Sequence, residues 1–227
     1  MSRLLARIIG AFVVLSVLPV VVFRFVDPPL TSLMLIRAVE TRSPSWARRW
    51  VPLRAVSPAL LRAVVAAEDE RFFVHHGVDW AALERAREYN ERWRGRRLRG
   101  AGTITMQCAR TVFLWPGRSY VRKALEVYLA HLLELAWGKQ RILEVYVNSV
   151  EWGDRVYGVE AAAERYFGVP AARLDAWESA LLAAVLPNPR RWSPAAPTPD
   201  LRARAALIAA RAARENGRSR RVTQRGD

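Results

Sequence analysis

Apolar residues run almost without interruption from Ile8 to Val26, broken only by Gly10, Ser16, Pro19 and Arg24. At about 1.5 Å rise per residue the run covers about 28 Å, close to the hydrocarbon thickness of a bilayer. Arg3 and Arg7 precede it, and Arg24 lies near its far end, where a long side chain reaches the interface. Basic residues ahead of such a run favour a cytoplasmic N-terminus, which places the rest of the chain outside the cytoplasm. The run closes on Phe23-Arg24-Phe25-Val26-Asp27-Pro28-Pro29, with no small-x-small cleavage site. An uncleaved single-pass anchor over 8–26 is therefore expected in place of a removed signal peptide.

Beyond the anchor, Asp27 to Pro44 reads as a juxtamembrane stretch, and Trp50-Val51-Pro52-Leu53 as extended chain. Helical spacing then dominates. Ser57-Pro58 is a cap with a first-turn proline, followed by Leu60, Leu61, Val64 and Val65 up to Glu68. Asp79 caps a helix through Trp93, which ends in the basic turn Arg94-Gly95-Arg96-Arg97. Ser119 opens a long helix with Leu125, Leu129, Leu132, Leu133 and Ala136 on one face and Gly138 as its stop. Lys139 to Ser149 is the next. Asp175 and Glu178 have capping-box spacing ahead of Ser179 to Leu186, and Pro199 starts a last amphipathic helix. Arg218 to Asp227 is polar and basic, expected to be disordered. The expected layout is a cytoplasmic segment 1–7, the anchor 8–26, one mainly α domain 27–215 and a basic tail 216–227.

Composition narrows the partners. The chain has 227 residues, room for one catalytic unit, and carries 36 Lys+Arg against 21 Asp+Glu for a net charge of +15. Anionic lipid headgroups, phosphorylated substrates and nucleic acid all suit that charge. The anchor removes nucleic acid by placing the domain outside the cytoplasm. All but two of the basic residues are arginine. The single cysteine, Cys108, excludes an intramolecular disulfide and a zinc site built on cysteine pairs.

Three clusters carry candidate chemistry. Glu68-Asp69-Glu70 followed by Phe72, His75, His76, Gly77 and Asp79 lies where an apolar helix ends. Partial burial and the negative end of the helix dipole both favour a protonated carboxyl there, as a general acid or base requires. A solvated helix end explains the same residues, and His75-His76 lacks the i,i+4 spacing of a two-histidine zinc site. Arg99-Gly100-Ala101-Gly102-Thr103-Ile104-Thr105-Met106-Gln107 is a glycine-bearing turn entering a helix. Such a turn cradles a phosphate or simply caps a helix, and it lacks the P-loop lysine. Arg122, Lys123 and Glu126 share one helix at salt-bridge spacing, suited either to an anionic leaving group or to an ordinary ion pair.

In order, these segments form a recognisable series. Glu-Asp-x-x-Phe-x-x-His-x-Gly at Glu68 to Gly77, Gly-x-x-Thr-Ile-Thr-x-Gln at Gly100 to Gln107, Arg-Lys-x-x-Glu at Arg122 to Glu126 and Ile-Leu-Glu-x-Tyr-x-Asn at Ile142 to Asn148 resemble the motifs of the family 51 peptidoglycan glycosyltransferases. Gly153, Gly158 and Gly168, then Leu186-Pro187-Asn188-Pro189, continue the match over about residues 28 to 195. Leu114-Trp115-Pro116-Gly117-Arg118 resembles the monofunctional members in particular.

The resemblance implies a two-lobed, lysozyme-like, mainly α domain that polymerises lipid II at the outer face of the bacterial cytoplasmic membrane. It implies Glu68 as the base that deprotonates the acceptor 4-hydroxyl, whose oxygen displaces undecaprenyl pyrophosphate from C1 with inversion. Glu126 matches the second carboxylate, and Arg122, Lys123 and Arg110 would neutralise the pyrophosphate. Further substrate contacts are implied at Asp69, Phe72, His75, Gly77, Arg99, Gly100, Thr103, Thr105, Gln107 and Arg118. Asn148 is counted among these contacts and also, with Glu144 and Tyr146, among residues tying the long helices together. No tightly bound cofactor is implied, although a divalent cation such as Mg2+ is compatible with the pyrophosphate. Expected partners are lipid II, nascent glycan strands, membrane lipids and other cell-wall or division proteins.

Gly102 stands where the family has serine, Met106 where it has the first of two glutamines, and Thr111 where asparagine is common. Each lost hydrogen bond in a donor pocket would be worth about 0.5 to 1.5 kcal/mol. A glycan-cleaving muramidase and a non-catalytic assembly scaffold are the alternatives. A bifunctional enzyme is excluded within this chain by its length and by the absence of Ser-x-x-Lys and Lys-Thr-Gly elements.

Overall fold

The computed structural model describes residues 2–93, 100–117 and 119–223, with side chains described as far as 214. The helices are α1 (Ser2–Phe25), α2 (Ser32–Thr41), α3 (Pro58–Glu68), α4 (Trp80–Arg92), α5 (Ile104–Phe113), α6 (Tyr120–Ala136), α7 (Gly138–Ser149), α8 (Val159–Phe167), α9 (Ala176–Val185) and α10 (Pro199–Thr223). Three short strands, β1 (Ala47–Arg48), β2 (Glu151–Gly153) and β3 (Val156–Tyr157), form a sheet in the order β1-β3-β2. β1 runs parallel to β3, and β2 antiparallel to it with Glu151 opposite Tyr157.

The chain separates into two compact units. Unit 1 comprises Met1–Ile36 and Phe73–Tyr146, and unit 2 comprises Arg37–Phe72 and Val147–Asp227. The expected single stretch 27–215 is thus divided, and the anchor belongs to unit 1. Within unit 1, α5 packs on α6 and α1 packs on α6. Within unit 2, α3, α9 and α10 pack on one another. α9 is apolar on all sides, with Ala180 to Val185 buried, so it forms the centre of that core.

Most helix starts follow the expected caps. The Ser57 side chain accepts from Ala59 N at 3.3 Å, with Pro58 opening α3. Asp79 accepts from Ala82 N at 2.9 Å at the start of α4. Asp175 and Glu178 form a reciprocal capping box on α9. Gly138, at φ 72°, ends the run of α6 as expected.

Four expectations are corrected. α1 begins six residues ahead of the apolar run, since helix continues through Arg3 and Arg7. The juxtamembrane stretch contains α2, whose start is capped by Thr31 accepting from Met34 N at 3.2 Å, with Met34 fully buried. The segment from Trp50 is extended at Pro52, with φ −64° and ψ 151°, but Leu53 already opens a short 3-10 turn, Leu53–Ala55. The tail, expected to be disordered, is helical as far as Thr223. The basic turn at 94–97 and residues 224–227 lie outside the described residues.

Candidate active site

In unit 2, Glu68 is the last residue of α3 and is half-buried. Leu60, Ala63, Val64, Val65 and Ala66 bury the preceding turns and fix where that carboxyl is delivered. Asp69 leaves the helix, its N–H donating to Val65 O at 2.9 Å and its carbonyl accepting from Phe72 N at 3.0 Å. Phe72 is fully buried, so this tight turn is plugged into the core. Asp69 and Phe72 hold the chain at the end of α3, while Glu70 points outward to Arg211 on α10 at 3.2 Å.

Asn148 is also in unit 2 and has no exposed surface. Its Oδ1 accepts from Val51 N at 3.0 Å and its Nδ2 donates to Val51 O at 2.9 Å. Close by, an added Cβ at Gly158, which has φ +79°, would lie 3.0 Å from Asn148 O. The amide is spent on fixing the Val51 segment, which corrects its assignment as a substrate contact.

In unit 1, the histidine–glycine and threonine motifs are knitted together from within. Thr103 caps α5, accepting from Met106 N at 3.1 Å, and donates to Gly77 O at 2.5 Å. Gly77 has φ +84°, and a Cβ there would lie 3.1 Å from Ala130 O, so glycine is required by both conformation and space. Thr105 donates to Glu134 Oε1 at 2.7 Å. Lys139 Nζ donates to the same oxygen and to His75 O, each at 2.7 Å. Thr103, Thr105 and His75 are buried, and the two hydroxyls are turned inward onto this network. Thr103 and Thr105 thereby spend their hydroxyls on the fold and shape the loop that carries Gly100 and Gly102, whereas His75 enters the network through its backbone carbonyl. Glu134 and Lys139 were missed in the sequence. Lys139 carried a signal, being one of the two lysines in an arginine-rich chain.

Gln107 Oε1 accepts from Tyr146 Oη at 3.2 Å. Gly100 and Gly102 face open space, with nothing within 4 Å of an added Cβ at either. Met106 does not line a polar pocket. It is buried against Val78, Ala130 and Val127, so the missing glutamine is replaced by apolar packing. Thr111 is likewise buried, and its carbonyl accepts from Ser32 Oγ at 3.2 Å. Arg99 and Arg118 lie outside the described residues.

The second carboxylate gathers the cations of unit 1. Glu126 is 2% exposed at the middle of α6. It is hydrogen-bonded by Arg122 Nη1, lies 3.3 Å from Lys123 Nζ through Oε2, and 3.9 Å from Arg110 Nη1 through Oε1. Three positive charges thus meet one negative charge, leaving an excess of two. Arg122 is buried, its Nε having no hydrogen-bond partner among the described residues, while Lys123 and Arg110 are each 43% exposed. An arrangement of this kind offers fixed positive charge to an anion. It does not suit a protein-held Mg2+, because Glu126 is already neutralised. Among the described residues no three His, Cys, Asp or Glu side chains converge on one point.

Comparison with known proteins completes the picture. The family model described as Transglycosylase matches residues 36–213. A protein of Rhodospirillum centenum named biosynthetic peptidoglycan transglycosylase is 54% identical over 211 residues, covering 93% of this chain and 90% of the relative. Proteins of the same name in Caulobacter vibrioides and Pseudomonas fluorescens are 53% identical over 194 residues and 47% identical over 220. The first alignment covers 84% of this chain and 83% of the relative, the second 92% and 89%.

Proposed function

The chain belongs to the transglycosylase family, and from that premise we propose that it is a membrane-anchored peptidoglycan glycosyltransferase that polymerises lipid II into β-1,4-linked glycan. The observation that carries the donor side of this reading is the buried Glu126 with Arg110, Arg122 and Lys123 around it. A polyprenyl pyrophosphate departs as an anion, and its departure is easiest where positive charge is fixed before the bond breaks. Glu126 holds the three cations in place in the free enzyme, and the excess of two positive charges faces the leaving group when donor is bound. Arg122 supplies the desolvated charge, and Lys123 and Arg110 the part-exposed ones.

On the acceptor side, Glu68 takes the proton of the 4-hydroxyl as that oxygen attacks C1. The C1–O bond to pyrophosphate breaks as the new bond forms, so one inverting displacement turns the α-linked donor into a β-linked product. Location at the end of a core helix supports this role, since such a carboxyl is held rigidly yet is only half-buried. α1 is long and apolar enough to cross a membrane, which suits a substrate whose tail never leaves the bilayer. The catalytic domain then works at the outer face, as the basic residues before the apolar run favour.

Detergent-solubilised protein given labelled lipid II should yield a high-molecular-weight product that lysozyme digests to disaccharide units. Release of fragments from finished peptidoglycan without extension of lipid II would replace this reading with a lytic one. Neither activity would leave a scaffold.

A further inference from the structure

α5 runs antiparallel to α6 within unit 1, and the two meet at three levels. Thr105 Oγ1 donates to Glu134 Oε1 at 2.7 Å. Met106 is buried against Val127 and Ala130. Arg110 Nη1 stands 3.9 Å from Glu126 Oε1. Partners on α6 therefore fall back from 134 to 126 as α5 advances from 105 to 110. Only the first of these levels is directional at close range. Apolar packing around Met106 tolerates a small slide, and 3.9 Å is beyond hydrogen-bond reach. Arg122 and Lys123 are carried by α6 itself, at i,i+4 and i,i+3 to Glu126, so their distances to it are built into one helix. Arg110 comes from another helix and is 43% exposed, so its place beside Glu126 is set by the register of α5 on α6.

The Thr105 level is built at some cost. Glu134 stands in the last turn of α6, which ends at Ala136, and the negative end of a helix dipole disfavours a carboxylate there. Lys139 offsets that charge, its Nζ donating to Glu134 Oε1 and to His75 O at 2.7 Å each. The two side chains are only 10% and 19% exposed. On its other side Glu134 is confined by the turn at Gly77, where an added Cβ would lie 3.3 Å from Glu134 Cγ. A shielded ion pair adds little net stability over apolar side chains of the same shape, and fixing a register is its best-attested use. Here a shifted α5 would leave Thr105, which has no exposed surface, with an unpaired hydroxyl.

We propose that Thr105, Glu134 and Lys139 are positioning residues: together they pin α5 on α6 and so hold the Arg110 guanidinium where it adds a third positive charge at Glu126. The identity of the anion that meets this charge rests on the function proposed above; the pin does not. Without the pin Arg110 drifts while Arg122 and Lys123 stay in place, so the deficit is that of Arg110 alone.

The test is a double-mutant cycle on the full chain in detergent, read as kcat for lipid II and, separately, as affinity for inorganic pyrophosphate. Arg110→Ala should lower kcat about tenfold and Thr105→Val about fivefold. The double variant should be slowed no more than about tenfold, since the pin then has nothing to hold. Pyrophosphate affinity should show the same saturation. Lys139→Met should resemble Thr105→Val, whereas Lys139→Arg, which keeps donors for Glu134 and His75 O, should return to within about twofold of native. Thermal melts identify a variant that fails to fold, and Thr105→Val, which removes a single hydroxyl at nearly constant shape, carries the test if Lys139→Met is lost. A Thr105 that served only the fold would multiply with Arg110→Ala to about fiftyfold, and that result in either readout would overturn the proposal. So would a Thr105→Val chain with native kcat and native affinity. A native chain that binds pyrophosphate without polymerising lipid II would defeat the proposed function instead, and the affinity cycle would still decide the pin. A native chain that does neither would overturn both.

Discussion

Glu68 and Glu126 are both carboxylates on helices, and their surroundings differ in a way that divides their work. Glu68 ends α3 and is half-buried, delivered by a helix whose preceding turns are packed into a core. Glu126 sits in the middle of α6, almost wholly buried, with three cations about it. A carboxylate so placed is matched by fixed positive charge and shut away from solvent. It serves as a counter-ion. A half-buried carboxyl at a helix end can meet a substrate hydroxyl and change protonation state. Position in the helix and local charge thus suit Glu68 to the proposed role of base and Glu126 to that of charge organiser.

The comparison is broken most directly at Glu68. Glu68→Gln should lower lipid II polymerisation by about a thousandfold, with the thermal midpoint moved by no more than a degree or two, since the amide keeps the shape of the helix end. If that variant kept substantial activity, the base would be elsewhere. Glu126→Gln should strike both properties at once. Removing one partner of a buried ion pair costs about 3–5 kcal/mol, so denaturant titration should show a large loss of stability beside the loss of activity. A loss of activity with full stability would give Glu126 a reacting role and erase the distinction.

Smaller changes sharpen it. Met106→Gln restores the family residue but puts an amide among Val78, Ala130 and Val127, so about 1–3 kcal/mol of stability should be lost. Gly102→Ser meets only open space and should leave stability within about 0.5 kcal/mol. Lys123→Ala should change stability by less than about 1 kcal/mol, because the ammonium is partly exposed, yet lower kcat for lipid II about tenfold. Glu151 offers a third carboxylate for contrast. It is buried at the β2–β3 pair, with Arg37 Nε 3.5 Å away, and burial raises its pKa above the ordinary carboxylate value despite that cation. A raised folded pKa stabilises below the unfolded value, and that contribution is lost as pH climbs through the folded one. The contribution of Glu151 to stability should therefore fall as pH rises from acid through the weakly acidic range. Glu151→Gln should flatten that slope in melts taken across it.

Much of this was legible in the chain itself. Caps at Ser57, Asp79, Ser119 and Asp175 announce four helices, because a short polar side chain ahead of an apolar period has one economical use. The i,i+4 spacing of Arg122 and Glu126 announces their pairing. Arg110 joins the same carboxylate from another helix, and its place was suggested by family resemblance alone. The three strands escaped notice because two or three residues carry no alternation to read. Helix α2 escaped because its burial depends on a contact surface that its own sequence does not describe.

Local signals therefore determined the helices, the anchor and the order of motifs, since caps, periodicity and turn residues act over a few positions. Tertiary structure decided which polar groups are available. Thr103, Thr105 and Asn148 are ligand contacts by family resemblance, yet in the fold their polar groups bond to Gly77, Glu134 and Val51 respectively. Met106 reads as a lost hydrogen bond and is a packed core residue. Whether a hydroxyl or amide faces a substrate or its own backbone is settled by partners distant in sequence, and no local pattern records them.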